Sequence, residues 1–305
     1  MSWWANIRFE KRFTIDLCYL LHRAGCIAVS GGLEVASNRL LALIDKGVSV
    51  EQVARVTRNF TEAGIQVHAY LMYAYPTQTV QETIDSLEMV RQLFAAGVLQ
   101  SAFWHRFALT VHSPIGLNPD AYKIQIHEKE NGPFANNDLN YHEDKPVDHD
   151  RFSFGLRKSL FNYMQGQCLT NPLSDWFDFS IPATQVPPHF IASCLNEDSL
   201  ATHPPHARVF FGGLLPAVSR EVQSKKGRQR ELMIMLFETN RKTHRISVPY
   251  DRGEWFLAGL SRWQTTPETM QQLISDYESN GWDDFDLFWY NKPISTLREV
   301  GLWVL

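Results

Sequence analysis

The sequence lacks most of the features that would place it in a class at sight. No apolar run approaches the roughly 20 residues needed to cross a bilayer. The start, Met1-Ser2-Trp3-Trp4-Ala5-Asn6-Ile7-Arg8, lacks the basic-then-apolar order of a secretory signal. These two absences point to a cytoplasmic protein without a membrane partner. Only four cysteines occur in 305 residues, Cys18, Cys26, Cys168 and Cys194. None are spaced C-x2-C, which argues against a zinc ribbon or a thioredoxin-like site and for reduced thiols. Cys18 and Cys26 sit among Leu, Ile and Val and read as small buried apolar residues. Positive charge has no surplus: Lys plus Arg is 29 and Asp plus Glu is 33, a formal charge of −4. That balance argues against a dedicated nucleic-acid binder. There is no P-loop, no Rossmann glycine fingerprint and no Ser-His-Asp elbow, and no internal repeat or low-complexity tract.

What is present is a core-forming composition, 44% hydrophobic and 12% aromatic, which excludes disorder as a general description. The length suits one large or two ordinary domains. Up to about residue 117 the chain alternates short apolar runs with amphipathic ones. Trp4 to Phe9, Cys26 to Ser30, Ile65 to Tyr75 and Val98 to Leu109 read as strands. Thr14, Ser37, Ser49 and Thr79 (or Gln78) read as caps of the helices between them. The order β-α-β-α-α-β-α-β predicts a parallel sheet with helical crossovers, its strands apolar because helices cover them. Beyond it, residues 119–205 read as an irregular, Pro-rich and acidic region with one helix near Phe152 to Tyr163. Residues 206–305 read as an α+β module. Its strands are predicted at Ala207–Leu215, Glu231–Glu238 and His244–Pro249, the last two a hairpin across Thr239 to Lys242, with a helix from Thr266 to Tyr277.

Candidate chemistry sits after the strands, the edge at which parallel α/β folds bind ligands. After the second strand run comes Gly31-Gly32-Leu33-Glu34-Val35-Ala36-Ser37. Glycines there let the backbone pass close to a ligand, and the carboxylate can accept hydrogen bonds from hydroxyl or amino groups. The same residues also suit a tight βα turn with a solvated Glu and a capping Ser. Met72 to Thr79 offers strand carbonyls and the rings of Tyr73 and Tyr75 to a flat ligand, or an ordinary strand stop. Trp104-His105-Arg106-Phe107 with His112 offers a polar group that needs a partner or a ligand; a satisfied core histidine is the commoner case. His203-Pro204-Pro205-His206 has no third metal ligand nearby. Lys225 to Arg230 reads as a basic, solvated loop.

Taken in order, Gly32-Leu33-Glu34-Val35-Ala36-Ser37-Asn38-Arg39-Leu40-Leu41, then Lys46-Gly47, then Val67 to Thr79, resemble the radical S-adenosylmethionine (radical SAM) superfamily. The branch they are most similar to often carries an upstream cobalamin-binding domain. There a G-[LIV]-E-S-x-S-x-R-[VL]-L segment ends the fourth barrel strand and a G-[FLY]-P-x-[EQ]-T segment ends the fifth. The resemblance spans residues 3–118 and implies an incomplete TIM-like (βα) barrel, about strands three to six, at 1–118. After it come the linking region and the small α+β module at 206–305. It implies that Gly32, Glu34 and Ser37 lie near the ribose or amino end of S-adenosylmethionine, that Tyr73, Ala74 and Tyr75 lie near the adenine, and that Arg106 and His112 face the adenosyl or substrate side.

The chain departs from the family pattern. The C-x3-C-x2-C loop, whose thiolates hold a [4Fe–4S] cluster, is absent, as is the G-G-E-P-type element. Val35 stands where Ser is frequent and Ala74 where Gly is usual. The expectation is therefore the C-terminal portion of a radical SAM enzyme, inactive alone. The intact protein would cleave S-adenosylmethionine reductively to a 5′-deoxyadenosyl radical, acting on an unknown small-molecule or peptide substrate, with cobalamin an option through an upstream domain. The missing partner would be the N-terminal half of the barrel or another edge-pairing element. The competing expectation is a degenerate homologue that binds a ligand or partner without catalysis.

Overall fold

The computed structural model describes residues 1–127, 137–144, 146–196, 202–225, 228–239 and 242–305. The chain divides into two compact units, Met1–Phe13 with Cys26–Asp198, and Thr14–Gly25 with Ser199–Leu305.

In the first unit β1 (Trp3–Ile7), β2 (Cys26–Glu34), β3 (Gln66–Tyr73) and β4 (Ser101–Arg106) form one parallel sheet in the order β1-β2-β3-β4. Between these strands in the sequence come α1 (Ile15–Arg23), which belongs to the second unit, and α2 (Asn38–Leu43), α3 (Val50–Glu62) and α4 (Val80–Ala95), the order read from the sequence. Thr14, Ser37, Ser49 and Thr79 cap them, each side-chain oxygen accepting the backbone N–H three residues on. Thr79 and Glu82 complete a capping box.

Among the described residues one face of this sheet is the more buried. On β3, Val67, Ala69, Leu71 and Tyr73 are buried, while Gln66, His68, Tyr70 and Met72 alternate with them and are less buried. α3 packs on β3, and α6 (Ser153–Met164) packs on β4. The other face shows Trp4, 54% exposed, and Phe103, 50% exposed. It is knitted by polar contacts: Trp4 Nε1 donates to Ser30 Oγ (2.9 Å), His68 Nδ1 lies 2.8 Å from Ser101 Oγ, and the Tyr70 hydroxyl reaches Asn6 Oδ1 (3.5 Å). His105 is exposed on this face, 4.5 Å ring to ring from Phe103, and is not a core histidine. Among the described residues the sheet is open, with β1 and β4 at its edges.

After β4 the chain forms α5 (Pro114–Leu117), then a small antiparallel pair, β5 (Ile124–Ile126) with β6 (Tyr141–Glu143). α6 follows, as the sequence suggests, and α7 (Phe190–Asn196) packs on α3 and α4. Cys18 and Cys26 are fully buried.

The second unit contains α1. Its Asp16 side chain, 4% exposed, receives Arg298 Nε at 2.7 Å and lies 3.1 Å from His203 Nε2. Arg23 donates to the Gly212 carbonyl (2.9 Å). Burial pushes the Asp16 carboxyl up, and Arg298 pulls against that rise. Burial, and then Arg298, lower the His203 imidazole to about 4. One sheet runs β11 (Glu268–Thr269), β7 (Arg208–Phe211), β12 (Leu302–Val304). A second is the antiparallel meander β8 (Ala217–Lys225), β9 (Arg228–Glu238), β10 (Thr243–Pro249). Helices α8 (Tyr250–Trp263), α9 (Met270–Ser279), α10 (Phe285–Trp289) and α11 (Lys292–Ser295) complete the unit around Phe256, Trp263, Tyr277, Phe288 and Trp289.

Two expectations change here. The basic run is not a loop between strands: Gln229 and Arg230 pair with Ser224 and Gln223, so it forms the end of the β8/β9 hairpin. Its Lys226 and Gly227 lie outside the described residues, as do Asn240 and Arg241 of the second turn. The helix from Thr266 starts only at Met270, because Glu268 and Thr269 first pair with β7.

Candidate functional site

The C-terminal ends of β2, β3 and β4 lie side by side, and the backbone there is unusual. Glu34 (φ 58°), Ala74 (φ 62°) and Thr77 (φ 68°) are non-glycine residues in the left-handed region. Each such residue costs about 1–2 kcal/mol and persists only where its surroundings fix it; such outliers concentrate at functional sites. A bulge at Leu33, between Gly32 and Glu34, brings the Glu34 backbone back into register opposite Leu71.

Glu34 Oε1 lies 2.5 Å from Lys46 Nζ, and both side chains are 22% exposed. The pair lies over the Gly32 backbone, where a Cβ would run into the Glu34 carboxylate and come within 2.8 Å of the Lys46 ammonium. Ser37 caps α2 and also donates its hydroxyl to Glu82 Oε1 (3.2 Å). Arg39 grips Glu82 with two bonds of 2.7 Å and donates to the Thr77 carbonyl (3.0 Å). One bidentate pair thus ties the loop after β2 to the loop after β3. Burial alone would raise the Glu82 carboxyl, but the bonds from Arg39 and Thr79 hold it below the usual range.

The segment after β3 is closed by the chain itself. The Tyr73 carbonyl accepts Phe107 N–H (2.8 Å), and Tyr75 exchanges bonds with Gln78 through both its N–H and its carbonyl. The Thr77 N–H donates to Glu143 (3.0 Å), and the Tyr141 hydroxyl reaches the Ala74 carbonyl (3.5 Å). Tyr75 is 3% exposed, edge-on to Phe107 at 5.0 Å, within an apolar cluster that includes Val35, Leu40, Leu109, Ile115 and Ile124. Burial raises its phenol.

Arg106 ends β4 opposite Tyr73 and donates from Nε to Asp150 Oδ1 (2.7 Å). His112 is exposed on the turn before α5, and among the described residues no hydrogen bond joins it to the rest. Gly32 and Glu34 therefore come together, Ser37 joins the β3 loop through Glu82, and Tyr73 adjoins Arg106. Glu82 and His149 were not singled out in the sequence, and Lys46 was named only within the motif, not as a site residue. Lys46 carried a signal, the Lys-Gly turn. Glu82 carried one too, as the third residue after the Thr79 cap.

Among the described residues no group of three or more His, Cys, Asp or Glu is placed to hold a metal ion. No helix among them is long and apolar enough to cross a membrane. No protein-family model and no curated protein match the chain. Among solved structures it is similar to the archaeal Methanocaldococcus infernus Elp3 with N-terminus deletion (1-46). The identity is 11% and the TM-score 0.34, over 81% of this chain and 57% of that one. The chain thus spans 57% of that protein's length, and a likeness of this extent carries no argument about function.

Proposed function

We propose that this chain is the C-terminal portion of a radical SAM enzyme and binds S-adenosylmethionine at the C-terminal ends of β2 and β3. The observation that supports this most is the pair of strained residues, Glu34 and Ala74, ending neighbouring parallel strands within the two motif segments. Strain held at a strand edge, beside a carboxylate that pairs with Lys46, supports a ligand site there. The donor set fits the ligand: a half-buried carboxylate accepts hydroxyl or ammonium hydrogens, and Lys46 holds it in place. Bound S-adenosylmethionine supplies an activated sulfonium. The chain's part is to grip its polar end at Glu34 and to exclude water with the Tyr75–Phe107–Tyr141 cluster.

The described residues do not fit a [4Fe–4S] cluster, which needs three thiolates together. Its ligands would have to lie elsewhere. Cobalamin likewise has no assigned residue. In this reading β1 pairs, on its open side, with earlier strands of a barrel of which β1 to β4 are the later part. A second reading, a ligand- or partner-binding protein without redox chemistry, draws support from the apolar cluster that already packs against the strand ends.

Calorimetric titration of the folded chain with S-adenosylmethionine tests the proposal. Saturable binding, weakened about tenfold or more by Glu34→Gln, is the expected result. A folded chain that binds nothing at millimolar ligand would overturn it and leave the partner-binding reading.

A further inference from the structure

β8 is an outer strand of the three-stranded meander and pairs with β9 alone. It runs opposite β9 from Ala217 to Lys225 without a shift in register. β10, at the other edge, packs against α11. Among the described residues no backbone hydrogen bond joins Ala217 to Ser224 to any segment but β9. Alternate residues of an edge strand turn their N–H and C=O groups outward. β8 therefore offers an open row of donors and acceptors.

The side chains beside that row are apolar on one face. Val218 and Arg220 stand opposite Met235 and Met233, which are buried in the core of the unit, and Val222 stands opposite Glu231. α8 packs on β9, yet Val218 and Val222 on β8 are 48% and 54% exposed. Natural edges are guarded by charges, prolines or bulges. β8 has no proline and no bulge within it. Its Arg220 pairs with Glu231 on the neighbouring strand (2.5 Å) and lies over the Tyr250 ring. Its Glu221 takes Arg245 from β10 (3.2 Å). Both charges are thus engaged with their own unit, and the valines are left beside an unguarded row.

Two observations choose the occupant. β8 and the start of β9 carry Arg220, Lys225, Arg228 and Arg230 against Glu221 and Glu231, in a chain whose formal charge is −4. In sequence these cations gather towards the end of β8, so an acidic partner is favoured there. A second copy is disfavoured. The antiparallel register that matches Val218 with Val222 of the copy sets Arg220 directly against its own counterpart, and like charges so placed repel.

We infer that the outer edge of β8 binds an acidic, extended peptide as an added antiparallel strand. The peptide's main chain bonds to the open row, and its alternate apolar side chains lie beside Val218 and Val222. An antiparallel strand starts where β8 ends, so the acids belong at the peptide's N-terminus. The inference does not rest on the strand-end reading, because β8 belongs to the second unit.

The experiment titrates the full chain into the dye-labelled peptide Asp-Glu-Asp-Val-Thr-Val-Thr-Val-Thr and reads fluorescence anisotropy. Saturable binding that weakens as salt is raised is the expected result. Two further peptides carry N-methyl groups on one or the other set of alternate residues. One set faces β8 and should abolish binding; the other faces away and should leave it. Replacing the three acids by Lys should weaken binding about tenfold or more. Val222→Glu should do the same, by setting a like charge against the peptide. Val222 is exposed, so this variant keeps the fold, which its urea midpoint verifies. Val218→Thr with Val222→Thr should weaken binding about fivefold, by removing apolar contact. No saturable binding at millimolar protein, equal effects of the two N-methylated peptides, or an unchanged affinity in Val222→Glu would overturn the inference. So would displacement of the peptide by oligothymidylate, which would give the edge to single-stranded nucleic acid. A dimer in sedimentation that Val222→Glu dissociates would give it instead to a second copy.

Discussion

Arg298→Met tests the buried charge network of the second unit. The Asp16 side chain is 4% exposed and Arg298 is its cation, at 2.7 Å; His203 and the Val304 backbone also reach it. Removing one member of a buried pair costs about 3–5 kcal/mol, because an uncompensated charge is left behind. Arg298 is 28% exposed, and its loss also lets His203 take a proton more readily, so the lower end, about 3 kcal/mol at pH 7, is expected. Urea unfolding read by tryptophan fluorescence is the assay, since Trp263 and Trp289 lie in this unit's core. With m near 1–3 kcal/mol/M, the midpoint should fall by about 1–3 M. The sign with pH follows from Asp16. Burial raises its carboxyl, and without Arg298 the rise is larger, so acidification protonates it first in the variant. A protonated Asp16 needs no cation, and the deficit should shrink as pH falls. The double variant Asp16→Asn/Arg298→Met should recover much of the loss. A deficit under about 1 kcal/mol at pH 7, or one that grows on acidification, would refute the reasoning.

Two further perturbations follow from the same structure. His203 sits at about 4 in the folded chain against 6.5 as its ordinary value, so the unfolded chain binds a proton between those limits that the native one refuses. Stability should fall as pH drops from 6.5 to 4, by up to about 3 kcal/mol from this group, and His203→Gln should flatten that slope in urea titrations; an unchanged slope would remove His203 as its source. In the first unit a Cβ on Gly31 would lie 2.6 Å from Cζ of Phe9, a ring that is fully buried. Gly31→Ala should cost about 1–3 kcal/mol in unfolding experiments, and a neutral effect would mean that the ring moves freely.

How much of this was legible depended on whether local chemistry or tertiary placement decided the outcome. The four caps were readable because an N-cap is chosen by residues three apart, and the parallel order followed from alternating strand and helix signals. β8 was not readable. Arg220 to Ser224 stand at a sheet edge with both faces largely exposed, so no apolar alternation marks the strand. α1 was readable as a helix, but its amphipathic pattern carries no information about which surface it buries against; Asp16 finds its partner 282 residues further on. At the site, the Gly-Leu-Glu and Tyr-Pro-Thr-Gln-Thr segments announced themselves. The left-handed φ of Glu34 and Ala74 did not, since neither residue type calls for it.

The chain crosses between its two units three times, near residues 13, 25 and 198. As the ribosome delivers the protein, α1 emerges 282 residues ahead of Arg298. Closing a loop of that length costs about 5 kcal/mol of chain entropy, and no native contact of that pair repays it earlier. The helix therefore waits for its ionic partner through the synthesis of those 282 residues. The same interleaving means that an engineered stop ahead of residue 298 deprives α1 of its anchor, so a change late in the chain is felt by a helix 282 residues earlier.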